Sequence, residues 1–362
     1  MISYLEFNAC STGKTLCNIT TNASRLSVVF VALDNCCPTN QVFPKLNFPA
    51  DWSAIECYIT YILAMLYQTY SKLHLGDNLV HLNFLRKLSA RYPEGKFVHA
   101  TTAGYLPQLR EVIKDIPAIS LIPLEELRGS ATNAWTGAGR WLWFMPMGGF
   151  RDGHPNTADW SGFHVDWFRH LAAKMGLESP IEKPADLLFD YPAIQESVPV
   201  AEHWKCDVLV INSRPASGQL KAYKDQTGLH GIYTRLFQKG HHFQNTQSDD
   251  FLAPVIDRLC EAGHQVVTTQ PYQTKRINQP TPPCTTEHGL TVTNIGNLSL
   301  RCKYIVMIST GPIFPTLNVW NVETVKLRVV LLDCERLNLP GNMVYSNTAE
   351  GAMRALKAEG LI

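Results

Sequence analysis

The sequence lacks an excess of charge of either sign. Its 32 Lys and Arg face 31 Asp and Glu, a formal net charge of +1 over 362 residues. Nucleic acid and anionic membrane surfaces draw on a positive excess, so the chain as a whole has no electrostatic case for either. Long apolar runs are also missing. The most apolar early stretches, 26–33 and 58–66, fall well short of the roughly 20 residues that a spanning helix needs. Any membrane contact is therefore expected to be peripheral. The 10 cysteines include no Cys-x-x-Cys pair, which argues against a zinc site of the usual spacing. No Walker A sequence and no complete G-x-G-x-x-G fingerprint occurs, which argues against an ATPase or a standard NAD enzyme. No charged and apolar leader opens at Met1. The expectation is an intracellular, cytoplasmic protein with reduced cysteines. The Asn-x-Ser/Thr triplets at Asn18, Asn22 and Asn297 then carry no meaning.

What is present is a core-forming composition, 45% hydrophobic and 17% charged, on a chain long enough for two ordinary domains. Residues 1–64 stand apart. They hold only seven charged residues (Glu6, Lys14, Arg25, Asp34, Lys45, Asp51 and Glu56), and their apolar runs keep no steady period. We read 1–64 as an N-terminal extension with little role in the fold, against the alternative of an irregular subdomain.

From Met65 onward strand and helix patterns alternate. Met65–Tyr70, Phe97–Thr101 and Ile119–Leu124 read as strands, and Val80–Tyr92, Tyr105–Ile113 and Phe163–Leu177 as helices. Trp135–Phe150 reads as a strand with flanking loops or part of an acceptor surface, its rings mostly core. Residues 178–204, with Pro180, Pro184, Pro192 and Pro199, read as a crossing between domains. The rhythm then restarts. Strands are expected at Asp207–Ile211, Gln265–Thr269, Leu290–Thr293, Tyr304–Ile308 and Arg328–Leu332. Helices are expected at Phe251–Ala262, Leu298–Lys303 and Ala349–Glu359. This order predicts an α/β protein of two facing Rossmann-like domains with parallel sheets, 65–190 and 191–362, and a cleft between them.

In open parallel sheets, ligands gather at the carboxyl ends of strands. Four such ends hold chemistry. Leu75-Gly76-Asp77-Asn78-Leu79 follows the first strand and precedes a helix. Gly76 permits a tight turn and close approach of a ligand. Asp77 reads either as the helix N-cap, which the local pattern favours, or as a general base aimed into a cleft. Ser213, Arg214 and Ser217 follow a later strand, Gln270-Pro271-Tyr272 the next, and Ser309-Thr310-Gly311-Pro312 another. Hydroxyls, a Gly turn and a cation suit a diphosphate. Lys221 and the pair His241-His242 read as solvated side chains, with donor, phosphate or metal contact as the alternative.

Leu75–Leu79, with its strand before and Arg91-Tyr92-Pro93 ending the helix after, resembles the opening of the bacterial heptosyltransferase-like glycosyltransferases (family 9-like). His164–Leu177 resembles that family's late first-domain helix. Ser309–Pro312 resembles its Asp-Thr-Gly-Pro nucleotide-sugar motif. The resemblance spans roughly Met65 to the C-terminus. It implies the GT-B fold, with acceptor in the first domain and nucleotide-sugar in the second. The implied activity is inverting transfer with no metal and no cofactor. It makes Asp77 the base, Thr310 and Gly311 donor-phosphate contacts, and Gly76 and Asn78 part of the acceptor-side loop. Ser213, Arg214, Ser217, Ser309 and Pro312 complete the donor candidates. Two departures stand out: Ser309 replaces the family's aspartate, and Phe314 its usual histidine. The expected partners are a nucleotide-sugar donor and a saccharide or lipid-linked saccharide acceptor. The competing readings are a nucleotide-sugar epimerase of GT-B-like architecture and a non-catalytic sugar-nucleotide-binding protein.

Overall fold

The computed structural model describes residues 2–9, 15–21, 25–30, 66–71, 74–124, 141–143, 159–197, 204–213, 251–277, 279–308, 310–331, 336–346 and 348–362. The chain divides into two compact units, Met1–Leu66 with Gly137–Gly139, and Tyr67–Thr136 with Arg140–Ile362. In the first, strands β1 (Ile2–Ala9), β2 (Thr15–Thr21) and β3 (Arg25–Phe30) form an antiparallel meander in the order β1-β2-β3.

The second unit holds two further sheets. β4 (Leu66–Ser71), β5 (Lys96–Thr101), β6 (Ile119–Pro123) and β7 (Trp141–Trp143) lie in the order β6-β5-β4-β7, with β5–β6 and β4–β7 parallel. β8 (Val208–Ile211), β9 (Val266–Thr268), β10 (Tyr304–Ile308), β11 (Leu327–Leu331) and β12 (Met343–Ser346) form an all-parallel sheet in the order β12-β11-β10-β8-β9. The helices are α1 (Leu75–Arg91), α2 (Leu106–Val112), α3 (Trp160–Lys174), α4 (Pro192–Glu196), α5 (Ala253–Glu261), α6 (Val292–Ser299) and α7 (Ala349–Ala358). Parallel strands covered on both faces read as unbroken apolar runs, and Val208-Leu209-Val210-Ile211 is buried at every position.

Helix α1 organises the first half. Leu79, Leu82, Leu85 and Leu88 are all fully buried, and each contributes roughly 2 kcal/mol by leaving water. The helix is enclosed on almost every side, so Asn78, His81 and Asn83 are buried with its leucines. It stops at Tyr92, where Pro93 follows. Helix α3 begins with Asp159, whose carboxylate accepts the backbone N–H groups of Ser161 and Gly162, each at 3.1 Å. It ends where Gly176 adopts a left-handed φ of +72°.

Several expectations shift. α1 starts at Leu75, five residues before the apolar period becomes regular. Leu290–Thr293 is no strand. It is the entry to α6, because Thr291 and Asn294 form a capping box that satisfies the first N–H groups of a helix. β12 and the 3₁₀ segment Gly311–Thr316 were not foreseen. Both are short, and two prolines break the period of the second.

The Pro-rich crossing is well tied. Asn83 Nδ2 donates to the Leu187 carbonyl at 2.9 Å, and Arg86 and Lys87 both reach Asp190 at 3.0 Å. Phe189 then bridges to Asn318, and Asn297 Nδ2 donates to the Ile194 carbonyl at 2.8 Å. One continuous apolar core runs from Leu79 and Leu85 through Tyr191 to Ile211 and Met307. Among the described residues no helix is long and apolar enough to cross a membrane.

Candidate functional site

Two turns meet in the second unit. One is the start of α1 at Leu75-Gly76-Asp77; the other is Thr310-Gly311-Pro312, after β10. A methyl group built on Gly76 would stand 2.7 Å from the Gly311 Cα and 2.8 Å from a ring carbon of Phe314. One built on Gly311 would stand 2.9 Å from the Gly76 nitrogen. Both positions therefore exclude a Cβ, and the backbones touch because each residue is glycine. Two motifs more than 200 residues apart, read from sequence as strand-end loops, are brought into direct contact.

Asp77 is not the N-cap. His74 holds that position, with extended φ and ψ of −68° and 166°, and Asp77 is the third residue of the helix. The backbone N–H groups of His74 and of Asp77 itself lie near its partly buried carboxylate and favour its charged form. Burial raises its pKa above the ordinary carboxylate value, against smaller opposing pulls from the His74 charge and those two N–H groups. Burial outweighs them because a partly enclosed carboxylate loses more hydration than two amides return.

Tyr105 closes the 3₁₀ turn Ala103–Tyr105 after β5. Burial raises its pKa first, and the Asp77 charge adds to it, so the phenol stands within electrostatic reach of the carboxylate. Neither Tyr105 nor His74 was singled out from sequence. The strand-end rule applied to the second half would have found Tyr105 had it been applied to Phe97–Thr101.

Beneath the turn runs a buried polar chain. Asn78 Nδ2 donates to the His74 carbonyl at 2.8 Å, which leaves Asn78 Oδ1 as the acceptor for His99 Nε2 at 2.9 Å. His99 Nδ1 meets Thr69 Oγ1 at 3.0 Å, and Thr69 Oγ1 meets His81 Nε2 at 3.1 Å. The two imidazoles stack with centroids 4.4 Å apart. Burial drives the pKa of His99 down to about 3, opposed by the Thr69 backbone carbonyl, an acceptor that favours the charged ring. Burial, then His99, pushes His81 well below its ordinary value. Both rings are therefore neutral. With neutral rings the directions follow: His99 Nε2–H donates to Asn78, Thr69 donates to His99 Nδ1, and His81 Nε2–H donates to Thr69. Asn78 was expected on the acceptor-side loop. That is corrected: its side chain is fully buried and turned inward to His74 and His99.

On the other side of the contact, Thr310 is only 6% exposed, and its Oγ1 has no hydrogen-bond partner among the described residues. Such an orphan costs roughly 1–3 kcal/mol unless something else satisfies it. Pro312 opens the 3₁₀ segment that carries Phe314. Phe314 leans on Gly76 and on Trp160, ring centroids 5.5 Å apart, and Trp160 stacks on His164 at 4.1 Å. An aromatic wall thus stands beside the Asp77 turn.

Of the remaining donor candidates, Ser213 is among the described residues. Ser213, at the end of β8, is buried, and its Oγ donates to Thr269 Oγ1 at 2.7 Å. Asn212, the first residue of the same strand-end loop, braces the same place: its Oδ1 accepts from the Thr269 and Gln270 nitrogens at 3.1 and 2.9 Å. Both side chains join β8 to the end of β9. Arg214, Ser217, Ser309, Lys221, His241 and His242 lie outside the described residues, as does most of Trp135–Phe150. A cavity of about 480 Å³ lies at the amino end of β9, lined in part by Trp204, Lys205, His264 and Arg276. It belongs to the opposite end of that strand from the donor candidates.

No family model matches the chain, and no curated protein matches it. Its structural likeness is to heptosyltransferases. E. coli heptosyltransferase WaaC with ADP is 12% identical with a TM-score of 0.45, over 82% of this chain and 98% of that one. E. coli ADP-heptose lps heptosyltransferase II is 13% identical with a TM-score of 0.44, over 81% and 98%. A family 9 glycosyl transferase from Veillonella parvula is 10% identical with a TM-score of 0.38, over 82% and 89%.

Proposed function

We propose that the chain is a metal-independent, inverting GT-B glycosyltransferase. It moves a sugar from a nucleotide-sugar to a hydroxyl of a glycan or lipid-linked saccharide. The observation that carries this reading is the backbone contact of Gly76 with Gly311, which joins the turn holding Asp77, a carboxylate of raised pKa, to the turn holding the unsatisfied Thr310 hydroxyl.

In this reading the Asp77 carboxylate takes the proton of the acceptor hydroxyl as that oxygen attacks the anomeric carbon. The bond from that carbon to the diphosphate oxygen breaks in the same displacement, and the configuration inverts. The negative charge released on the diphosphate is met by the Gly311 backbone N–H and the Thr310 hydroxyl, fixed donors that need no reorganisation. Ser309, Arg214 and Ser217 are further donor contacts, and Pro312 shapes the turn. Ser213 acts through its bond to Thr269. A raised pKa suits Asp77 to this work, because a stronger base accepts the proton more readily near neutral pH. The base form is lost as pH falls, so the acidic limb of the rate profile lies above the ordinary carboxylate range.

Two experiments test the reading. A thermal-shift panel of nucleoside diphosphates and their sugars identifies the donor, since a ligand bound only to the native state raises its stability by about 2.7 kcal/mol at 100 times Kd. Transfer by Asp77→Ala is then measured with that donor. Retained donor binding with lost transfer supports the assignment, and full transfer by Asp77→Ala overturns it. Change of the free donor sugar without acceptor would point instead to an epimerase, and binding without turnover to a non-catalytic protein.

A further inference from the structure

We infer that Asn78 and His99 are positioning residues for Asp77. They join the main chain of the turn that carries the carboxylate to the neighbouring strand, and so hold it in its partly buried setting. The inference rests on the reading of Asp77 as the base for its functional meaning, though not for its physical content.

The first turn of any helix has N–H groups without intrahelical partners, and such ends fray. Here the N-cap, His74, makes no side-chain cap bond. The Asp77 carboxylate stands near the N–H of His74, so its setting depends on a residue that must itself be held. The Asn78 amide does this from below, taking the carbonyl of the same His74 at 2.8 Å. Asn78 is in turn fixed by the His99 ring at 2.9 Å, on the middle of β5. Thr69 on β4 sets the tautomer of His99 by donating to its Nδ1. His74 is therefore held at its carbonyl by the Asn78 amide, while the Asp77 carboxylate stands near its N–H.

Chemistry explains the residue types. An aliphatic side chain at position 78 would leave the His74 carbonyl without this donor. At position 99 an apolar ring would fill the same space and stack on His81, yet remove this donor to the buried Asn78 Oδ1. Satisfied buried networks fix one geometry, and partly satisfied ones do not. Cutting the chain should free the turn, hydrate Asp77 and relieve the burial that raises its pKa.

The test needs no substrate. The Asp77 side-chain carboxyl is titrated by carbon-13 NMR in the full-length protein and in His99→Phe, His99→Gln, Asn78→Leu and Thr69→Val, with circular dichroism and melting curves alongside. We expect the Asp77 midpoint to fall toward the ordinary carboxylate value in His99→Phe and Asn78→Leu. His99→Gln, whose amide can still donate to Asn78, should keep most of the wild-type midpoint. Thr69→Val, a near-isosteric change that removes only the hydroxyl, should move it part of the way and covers the case in which His99→Phe fails to fold. A purely structural role would lower melting temperature and leave the midpoint alone. An unchanged midpoint in every folded member of the set overturns the inference. A shifted midpoint in a protein that transfers no sugar from any donor keeps the positioning role and removes the glycosyltransferase reading.

Discussion

Two buried polar networks in this protein solve the same problem in opposite ways. Under the Asp77 turn, Thr69, His99, Asn78 and His81 are nearly or wholly sealed from solvent, and both imidazoles are neutral. Under the Pro- and Thr-rich loop after β9, Asp257 stays charged although only 6% exposed. It accepts from Tyr272 at 3.1 Å, Thr274 at 2.7 Å, the Lys275 nitrogen at 2.9 Å and Arg276 Nε at 3.2 Å. Burial alone would raise its pKa, but those bonds and the Arg276 charge together bring it below the ordinary value. Four donors and a cation can replace the water a carboxylate loses. A stack of two imidazoles cannot replace the water of an imidazolium, so that network discards its proton instead. The charged network tethers a long loop to helix α5. The neutral one holds a short turn still.

The contrast can be broken from either side. The largest effect is expected at the carboxylate above the neutral network: Asp77→Ala should lower transfer by roughly 100- to 10,000-fold, the range of a lost general base, measured by product formation with the identified donor. Next is the charged network. Asp257→Ala removes the partner of a buried Arg276, and about 3–5 kcal/mol of stability should go with it in urea unfolding, with loop 271–283 becoming sensitive to protease.

The two networks also differ in how they answer acid. His99 has a folded pKa of about 3, below its ordinary unfolded value of 6.5. The unfolded state therefore binds more protons between those values. Stability is complete above the unfolded value and falls as pH drops, by at most about 1.4 kcal/mol per pH unit for one group. Unfolding curves from pH 7 to 4 should show this slope, and His99→Gln should flatten it. Asp257 also has a depressed pKa, but its contribution survives through that window. It is lost only as pH falls from the ordinary carboxylate value through the lower folded one. The smallest effect tests one strand of the tether: Thr274→Val should cost roughly 1.5–3 kcal/mol, as for a single hydrogen bond to a charged group, by the same unfolding measurement.

The same contrast explains what was legible from residues alone. Strand-end loops were found because apolar strands followed by Gly, Ser, Thr or Asn are local patterns. Leu290–Thr293 was misread because four residues with three β-branched side chains look like a strand, whereas the capping box at Thr291 and Asn294 decides for a helix. Asp77 was found, yet its place in the turn was not, since the regular apolar period begins only at Val80. His99 passed unnoticed because a histidine within a strand has no local signature. Its partner Asn78 lies 21 residues away.

The order of strands and helices after Met65, the apolar core runs and the small polar ends of the strands were decided by the sequence alone, because side-chain periodicity and turn chemistry act over a few residues. Tertiary structure alone decided that Gly76 rests on Gly311, that His74 caps α1, and that His99 reaches Asn78. These depend on backbone approach and on full burial. Burial sets the cost of every unpaired polar atom and charge, and it exists only once distant segments have packed together.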